Sequence, residues 1–145
     1  VGAHLPPINN KAEIFGPQYI FDAHDRITGE EERLLLVSTD LTAERVFQTA
    51  LSLSGCAYFS HVDRDSYSVL SALGTMPADI QTSVVEVSDS QAGRQFAKGR
   101  KDLADKRFLY SSDCHRLSEM SKRKNKIDLP QMTTQEVINW IKDMR

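Results

Sequence analysis

The chain has 145 residues, of which 40% are hydrophobic and 26% charged, and its net charge is −2. This size and composition are typical of one folded domain with a core of normal depth. No apolar run approaches the roughly 18 to 20 residues that cross a bilayer, so we do not expect a membrane protein. Two cysteines, Cys56 and Cys114, are too few for the disulfide framework of a small secreted domain. The sequence therefore predicts a soluble, intracellular protein without a membrane partner.

The small net charge conceals an uneven distribution of charge along the chain. Residues 1–90 carry 5 basic and 13 acidic side chains, a net charge of −8, whereas residues 91–145 carry 13 basic and 7 acidic side chains, a net charge of +6. Such an asymmetry is typical of chains that bind an acidic partner, such as nucleic acid, or whose two halves bind each other.

Residues 1–12 contain two prolines and no apolar periodicity, which predicts an extended or disordered arm. We expect one globular domain over residues 13–145, with an α/β layer over residues 13–88. In that layer, the apolar runs at residues 19–21 and 33–37 predict a hairpin followed by a buried strand. A helix is predicted over residues 41–53, where apolar side chains recur at helical spacing before Gly55.

A strand predicted at residues 56–59 completes a strand, helix and strand, which is the minimal parallel crossover unit. A second cycle is predicted, with a helix over residues 67–73 that Asp65 or Ser66 caps, followed by a β-rich run at residues 82–87. The expected fold class is therefore α/β or α+β. It combines a small mixed sheet and crossover helices in the first two-thirds with a helical, basic C-terminal third.

Residues 89–145 are expected to form that helical basic segment. Residues 88–90 can cap a helix whose partly apolar face extends to Leu109, and another helix is predicted over residues 113–124. In the final helix, Thr133 and Glu136 fit a capping box. The apolar stripe of this helix consists of Val137, Trp140, Ile141 and Met144. The stripe either docks on the core of the domain or binds a partner.

The basic residues of the C-terminal third are the first candidate for a binding site. Lysine and arginine neutralise phosphates and release condensed counterions, which gives affinity without reading bases. Arg94 and Lys98 would lie one turn apart if residues 94–107 formed a single helical segment, so a basic stripe is geometrically feasible. The candidate side chains are Arg94, Lys98, Arg100, Lys101, Lys106, Arg107, Arg116, Lys122, Arg123, Lys124 and Lys126.

Three interpretations of these basic residues stay open at this point. In the first, they bind nucleic acid, and Phe108 and Tyr110 are the aromatic side chains placed to stack on bases nearby. In the second, they form a solvated surface that pairs with Asp102 and Asp105. In the third, they dock on the acidic half of another copy of the chain.

The second candidate site is acidic. If the strands are parallel, the loops at their carboxyl ends meet in one crevice, which is where open α/β sheets bind ligands. Carboxylates that converge there can hold Mg²⁺ and support phosphate hydrolysis. The candidate carboxylates are Asp40, Asp63, Asp65 and Asp89. Helix capping explains Asp40, Asp65 and Asp89 without a metal, so we expect no metal or other cofactor.

The predicted strand at residues 34–37, the helix after it and a later Asp-x-Asp pair resemble the toprim arrangement of nucleic-acid-cleaving and primase domains. Asp63 and Asp65 match the paired aspartates of that family. Ser38 stands where the family carries an acidic residue at the end of its first strand, so the resemblance does not extend to catalysis.

Two further patterns argue against specific chemistry. Two thiols and two imidazoles form a chemically adequate ligand set for zinc, namely Cys56, His61, Cys114 and His115. Their spacing in the chain lacks the paired short loops that are typical of structural zinc sites. The chain also lacks a P-loop, a dinucleotide-binding fingerprint and a Gly-x-Ser-x-Gly elbow, which argues against NTPase, Rossmann and α/β-hydrolase functions.

The sequence therefore predicts a non-enzymatic interaction or assembly module. Through its basic C-terminal half, the module is expected to bind an RNA or DNA backbone or an acidic protein. One alternative is a small Mg²⁺-dependent phosphoesterase or nuclease that uses the four aspartates. The other is a structural protein that associates with itself into a homo-oligomer.

Overall fold

The computed structural model describes residues 2–120 and 126–143, so the predictions made for Lys122, Arg123, Lys124 and Met144 lie outside the described residues. Packing of the Cα atoms divides the chain into an N-terminal unit, Val1–Thr42, and a C-terminal unit, Ala43–Arg145. Helices and small sheets are both present, which confirms a mixed α/β composition. Over the described ranges, every helix is too short or too polar to cross a membrane.

The N-terminal unit is built around a short antiparallel hairpin. After a 3-10 turn at Gly2–His4 come helix α1 at Ala12–Phe15, strand β1 at Tyr19–Phe21 and strand β2 at Ile27–Glu30. The turn between the strands is closed by Asp22, whose Oδ1 accepts hydrogen bonds from the amides of His24 at 2.8 Å and Arg26 at 3.0 Å. Local polar contacts of this kind fix the register of the hairpin.

The buried strand predicted at residues 34–37 is wrong, because these residues form a turn. Leu34 is buried, but Leu35 and Leu36 face solvent. The strand is reduced to an isolated antiparallel bridge between Arg33 and Asn9, beside which the Leu34 amide donates to the Ile8 carbonyl at 2.7 Å. The Leu35 amide donates to a side chain, Gln18 Oε1, at 2.9 Å. The likeness to the toprim arrangement therefore loses its opening strand.

The described residues of the C-terminal unit form four α-helices: α2 at Ala43–Ser52, α3 at Val69–Leu73, α4 at Gln91–Gly99 and α5 at Thr134–Lys142. Ser68 caps α3 by accepting a hydrogen bond from the Ser71 amide at 3.1 Å, so the prediction of Asp65 or Ser66 as the cap is wrong. The predicted cap of α5 is confirmed, since Thr133 Oγ1 accepts from the Glu136 amide at 3.2 Å.

The sheet of this unit is parallel, with strand β3 at Val84–Ser88 paired to strand β4 at Arg107–Ser111. On the other side of β3, the strand predicted at residues 56–59 is reduced to a parallel bridge between Phe59 and Val85. β3 thus has a neighbour on each side, and its apolar run matches a strand that is covered on both faces. The core that packs on it consists of Val62, Leu70, Val85, Val87 and Leu103.

The approach of α4 to β3 depends on Gly93. A Cβ atom at this position would lie 2.1 Å from the Ser88 carbonyl oxygen and 3.2 Å from Asp63 Oδ2. Real side-chain contacts are never that short, so only glycine allows the first turn of the helix to pack this tightly against the end of the strand.

The single helical segment predicted for residues 94–107 is also wrong. α4 ends at Gly99, a 3-10 turn follows at Lys101–Leu103, and Arg107 begins β4. Leu103 turns into the core, and the backbone of the next residues then pairs with β3. Of the helix predicted over residues 113–124, the described part contains a 3-10 turn at Leu117–Glu119.

Candidate functional site

Arg94 is held in place by a carboxylate and an aromatic ring. Its Nη2 donates to Asp89 Oδ1 at 2.9 Å, and its guanidinium carbon lies 4.3 Å from the centre of the Tyr110 ring. The Asp89 side chain is only 1% exposed, so this ion pair is shielded from water on the carboxylate side. Arg94 thus has a structural role at the start of α4.

Arg100 and Lys106 are also paired with neighbouring carboxylates. Arg100 Nε donates to Asp102 Oδ1 at 2.7 Å, and its guanidinium carbon lies 5.4 Å from the centre of the Phe96 ring. This pairing raises the pKa of Arg100 and lowers the pKa of Asp102. Lys106 Nζ donates to Asp105 Oδ2 at 2.8 Å, which lowers the pKa of Asp105.

Arg107 links β4 to the last helix. Its guanidinium carbon lies 4.2 Å from the centre of the Trp140 ring, and its Nη2 donates to the carbonyl oxygens of Trp140 and, at 2.7 Å, of Asp143. A cation at the carboxyl end of a helix satisfies carbonyl groups that have no partner within the helix. Arg107 therefore holds α5 within the C-terminal unit.

The side chains of the apolar stripe predicted on α5 differ in their contacts and exposure. Trp140 lies under Arg107, and Ile141 lines a cavity of about 190 Å³ together with Phe47 and Leu51 of α2. Val137 is more exposed than either. The two inner positions of the stripe thus contact their own unit, which leaves Val137 as the described position at the surface.

The remaining basic candidates differ from these arginines. All of them are exposed, and none forms an ion pair with a described carboxylate. We call them the exposed basic set: Lys98, Lys101, Arg116 and Lys126. Within this set, Lys98 borders an open cavity of about 440 Å³ over α4, whose other lining includes Ser90, Gln91 and Gln95. Ammonium and amide donors there face water.

The two aromatic side chains predicted to stack on bases lie on β4. Phe108 and Tyr110 are partly buried and pack against the core cluster, and their ring centres are 6.5 Å apart. Arg94 covers a face of the Tyr110 ring. Their contacts are therefore made mainly within the protein.

Three of the four candidate carboxylates make structural contacts. Asp63 Oδ1 accepts a hydrogen bond from the Ser88 amide at 2.9 Å, and Asp89 pairs with Arg94. Asp65 is exposed in the loop before α3. In the N-terminal unit, Asp40 Oδ1 lies 2.7 Å from His4 Nδ1.

A metal ion requires several ligands that lie close together. Across residues 2–120 and 126–143, no three His, Cys, Asp or Glu side chains are placed to hold a metal ion. This includes the zinc candidates Cys56, His61, Cys114 and His115, which are all described. Cys56 and Cys114 are free thiols.

Sequence reasoning missed the arginine–ring pairs and several ion pairs, one of which joins the loop before α3 to the end of β4. Arg64 Nη2 lies 3.2 Å from Asp113 Oδ2, just beyond the carboxyl end of β4. The spacing of Phe96 and Arg100 is i, i+4 on a helix, so this contact could have been predicted. The contact of Arg94 with Tyr110 could not, because it depends on the pairing of β4 with β3.

The chain was also compared with known proteins. No protein-family model, no curated protein and no solved structure matches it. Any functional statement must therefore rest on the site itself.

Proposed function

We propose that this protein is a non-enzymatic α/β module that binds the phosphate backbone of nucleic acid through basic side chains of residues 91–126. The observation that carries the proposal is the exposed basic set, whose four cations are paired with no described carboxylate. Exposed cations without a carboxylate partner can exchange condensed counterions for contacts with phosphates. Along the chain, Lys122, Arg123 and Lys124 add three more cations between Arg116 and Lys126.

A phosphate ligand fits this set better than an acidic protein surface does. Protein interfaces are depleted in lysine and rest on buried aromatic anchors. Three of the four members of the exposed basic set are lysines, and the neighbouring rings of Phe96 and Tyr110 are packed against the core and covered by arginines. Long-range attraction of a polyanion needs no such anchor.

The proposed role requires no cofactor and suits a reducing compartment. Cys56 and Cys114 are both free thiols, which supports an intracellular location for the proposed module. Because Asp63 and Asp89 make structural hydrogen bonds, we favour binding over phosphate hydrolysis.

The test is the salt dependence of oligonucleotide binding, measured by the fluorescence anisotropy of a labelled mixed-sequence 20-mer of duplex DNA. About four phosphate contacts predict a loss of affinity of roughly 100-fold between 50 and 200 mM salt. Lys98→Gln should lower the slope of log affinity against log salt by about 0.9. Lys11→Gln is the matched control, since it removes one exposed lysine from the N-terminal unit, and it should leave the slope unchanged.

Two results would overturn the proposal. One is the absence of binding to both DNA and RNA 20-mers at 50 mM salt. The other is binding that does not weaken as salt is added. If the chain instead bound poly-glutamate but no oligonucleotide, the partner would be an acidic protein.

A further inference from the structure

We infer that the exposed basic set binds a chain of phosphates and makes no stacking contact with bases, so that inorganic polyphosphate is a ligand as well as nucleic acid. The inference rests on the proposed function and specifies its ligand as a chain of phosphates, with or without bases. It follows from the state of the aromatic rings beside the basic residues and from the chemistry of the cations that remain exposed.

The rings beside the basic residues already have partners on their faces. The guanidinium of Arg94 lies 4.3 Å from the Tyr110 ring centre, and that of Arg100 lies 5.4 Å from the Phe96 ring centre. Phe96, Phe108 and Tyr110 also pack against the core cluster. Stacking of a base requires a free ring face, and the guanidinium groups of Arg94 and Arg100 already lie over the Tyr110 and Phe96 rings.

Uncovering Tyr110 would disturb a buried contact. Arg94 would have to leave the ring and break its 2.9 Å hydrogen bond to Asp89 Oδ1. The Asp89 side chain is 1% exposed, and removing a charge-assisted hydrogen bond from a buried carboxylate is strongly unfavourable. A base that binds from solution would not compensate for this loss, so the ring stays covered when the ligand arrives.

The exposed cations are suited to phosphates. Lysine presents a compact ammonium charge without the planar fork that recognises guanine. In the exposed basic set, Arg116 is the one guanidinium beside three lysines. The set therefore recognises negative charge and does not select a particular base.

One ring of the C-terminal unit needs separate consideration. Tyr67 is 97% exposed in the loop before α3, so its ring is accessible. It follows Asp63, Arg64 and Asp65 in the chain, and the guanidinium of Arg64 is already paired with Asp113. The carboxylates of this loop therefore outweigh its cation and disfavour a phosphate backbone. We therefore do not assign Tyr67 to the ligand surface, and a variant tests this directly.

The experiment compares equal-length ligands by anisotropy at 50 mM salt: oligo-dT, oligo-dA and an oligodeoxynucleotide that carries abasic sites throughout. Stacking would strengthen binding by about five- to hundredfold for each base that stacks. We expect the three affinities to be equal within error. Unlabelled inorganic polyphosphate should displace labelled oligo-dT, and Tyr67→Leu should bind oligo-dT as the wild type does.

The outcomes separate this inference from the proposed function. If oligo-dT binds and the abasic ligand binds at least about fivefold more weakly, bases contribute, and this inference fails while the proposed function stands. A loss of oligo-dT affinity in Tyr67→Leu would overturn it in the same way. If neither oligonucleotides nor polyphosphate bind, both fail.

Discussion

The two units of this chain are ordered by different forces. In the described part of the N-terminal unit, Leu34 is the one buried large apolar side chain, and the hairpin is fixed by turn and side-chain hydrogen bonds. In the C-terminal unit, Val84, Val85, Val87 and Leu103 are fully buried around a parallel sheet. A two-stranded hairpin is marginally stable in water, whereas burial of each such side chain contributes about 1.5–3 kcal/mol.

The balance of charge follows the same division. The N-terminal unit has 3 basic and 7 acidic side chains, and the C-terminal unit has 15 basic and 13 acidic ones. The basic side chains of the proposed site thus belong to the unit with the deeper core. The exposed large apolar side chains of the N-terminal unit are Ile8, Ile14, Phe15, Tyr19, Ile20, Phe21, Ile27, Leu35 and Leu36.

The largest expected effect comes from emptying the core of the C-terminal unit. Leu103 is 0% exposed, and Leu103→Ala should lower the free energy of unfolding by about 2–5 kcal/mol through lost burial and a cavity. Urea unfolding followed by the fluorescence of Trp140, the one tryptophan, measures this. Leu36→Ala is the control, since Leu36 is 71% exposed, and it should change stability by less than about 0.5 kcal/mol. Equal losses of unfolding free energy in the two variants would contradict this contrast between the units.

The next effect concerns the approach of α4 to β3. Gly93→Ala places a Cβ 2.1 Å from the Ser88 carbonyl oxygen, and we expect a loss of about 3 kcal/mol in unfolding free energy as the helix is displaced. Gly99→Ala lies in the same helix with no atom within 4 Å of its new Cβ. That control should be neutral or stabilise by up to about 1 kcal/mol. A stable Gly93→Ala protein would contradict the tight packing described for this helix.

A smaller effect is expected where Arg107 holds α5. Arg107→Gln removes the cation over Trp140 and its hydrogen bonds to the helix carbonyls, which should cost about 2 kcal/mol and shift Trp140 emission to the red. Arg116→Gln removes an exposed arginine and should leave the emission spectrum as it is. Unchanged emission in Arg107→Gln would mean that this contact does not hold the helix.

The smallest effect lies in the hairpin of the N-terminal unit. Hydrogen bonds from the amides of Arg26 and His24 hold the pKa of Asp22 below its ordinary value of 3.8. Because the folded pKa is lowered, the contribution of Asp22 to stability is present above pH 3.8 and is lost as the pH falls through the folded value. NMR titration of the two amides should give a midpoint below 3.8, and a midpoint at or above 3.8 would contradict this contact.

Sequence patterns predicted the elements that carry local signals. α5 follows from the cap at Thr133 and the spacing of its apolar residues, and β3 follows from a run of β-branched residues. The run at residues 34–37 is equally apolar but forms a turn, because Gln18 and Ile8 take up its backbone groups. Short apolar runs do not determine their own pairing.

The candidate site, like the fold, could be predicted only in part from the sequence. The excess of positive charge after residue 90 is visible in the sequence, and pairing with Asp102 and Asp105 was one of the interpretations that it left open. The sequence did not show which cations stay exposed. Arg94 was expected to lie beside Lys98 on a basic stripe, yet it bonds to Asp89 and covers a ring of β4. The contact with the ring depends on where β4 pairs, which is set by residues far apart in the chain.

The most direct test of the account compares exposed and paired cations within one short segment. Two double variants, Lys98→Gln with Lys101→Gln and Arg100→Gln with Lys106→Gln, remove the same charge from residues 98–106. The measurement is the slope of log affinity for a 20-mer against log salt. The account predicts that the first variant lowers the slope by about 1.8 and that the second leaves it within about 0.5 of the wild-type value. Equal reductions in the two variants would contradict the claim that the exposed cations carry the binding.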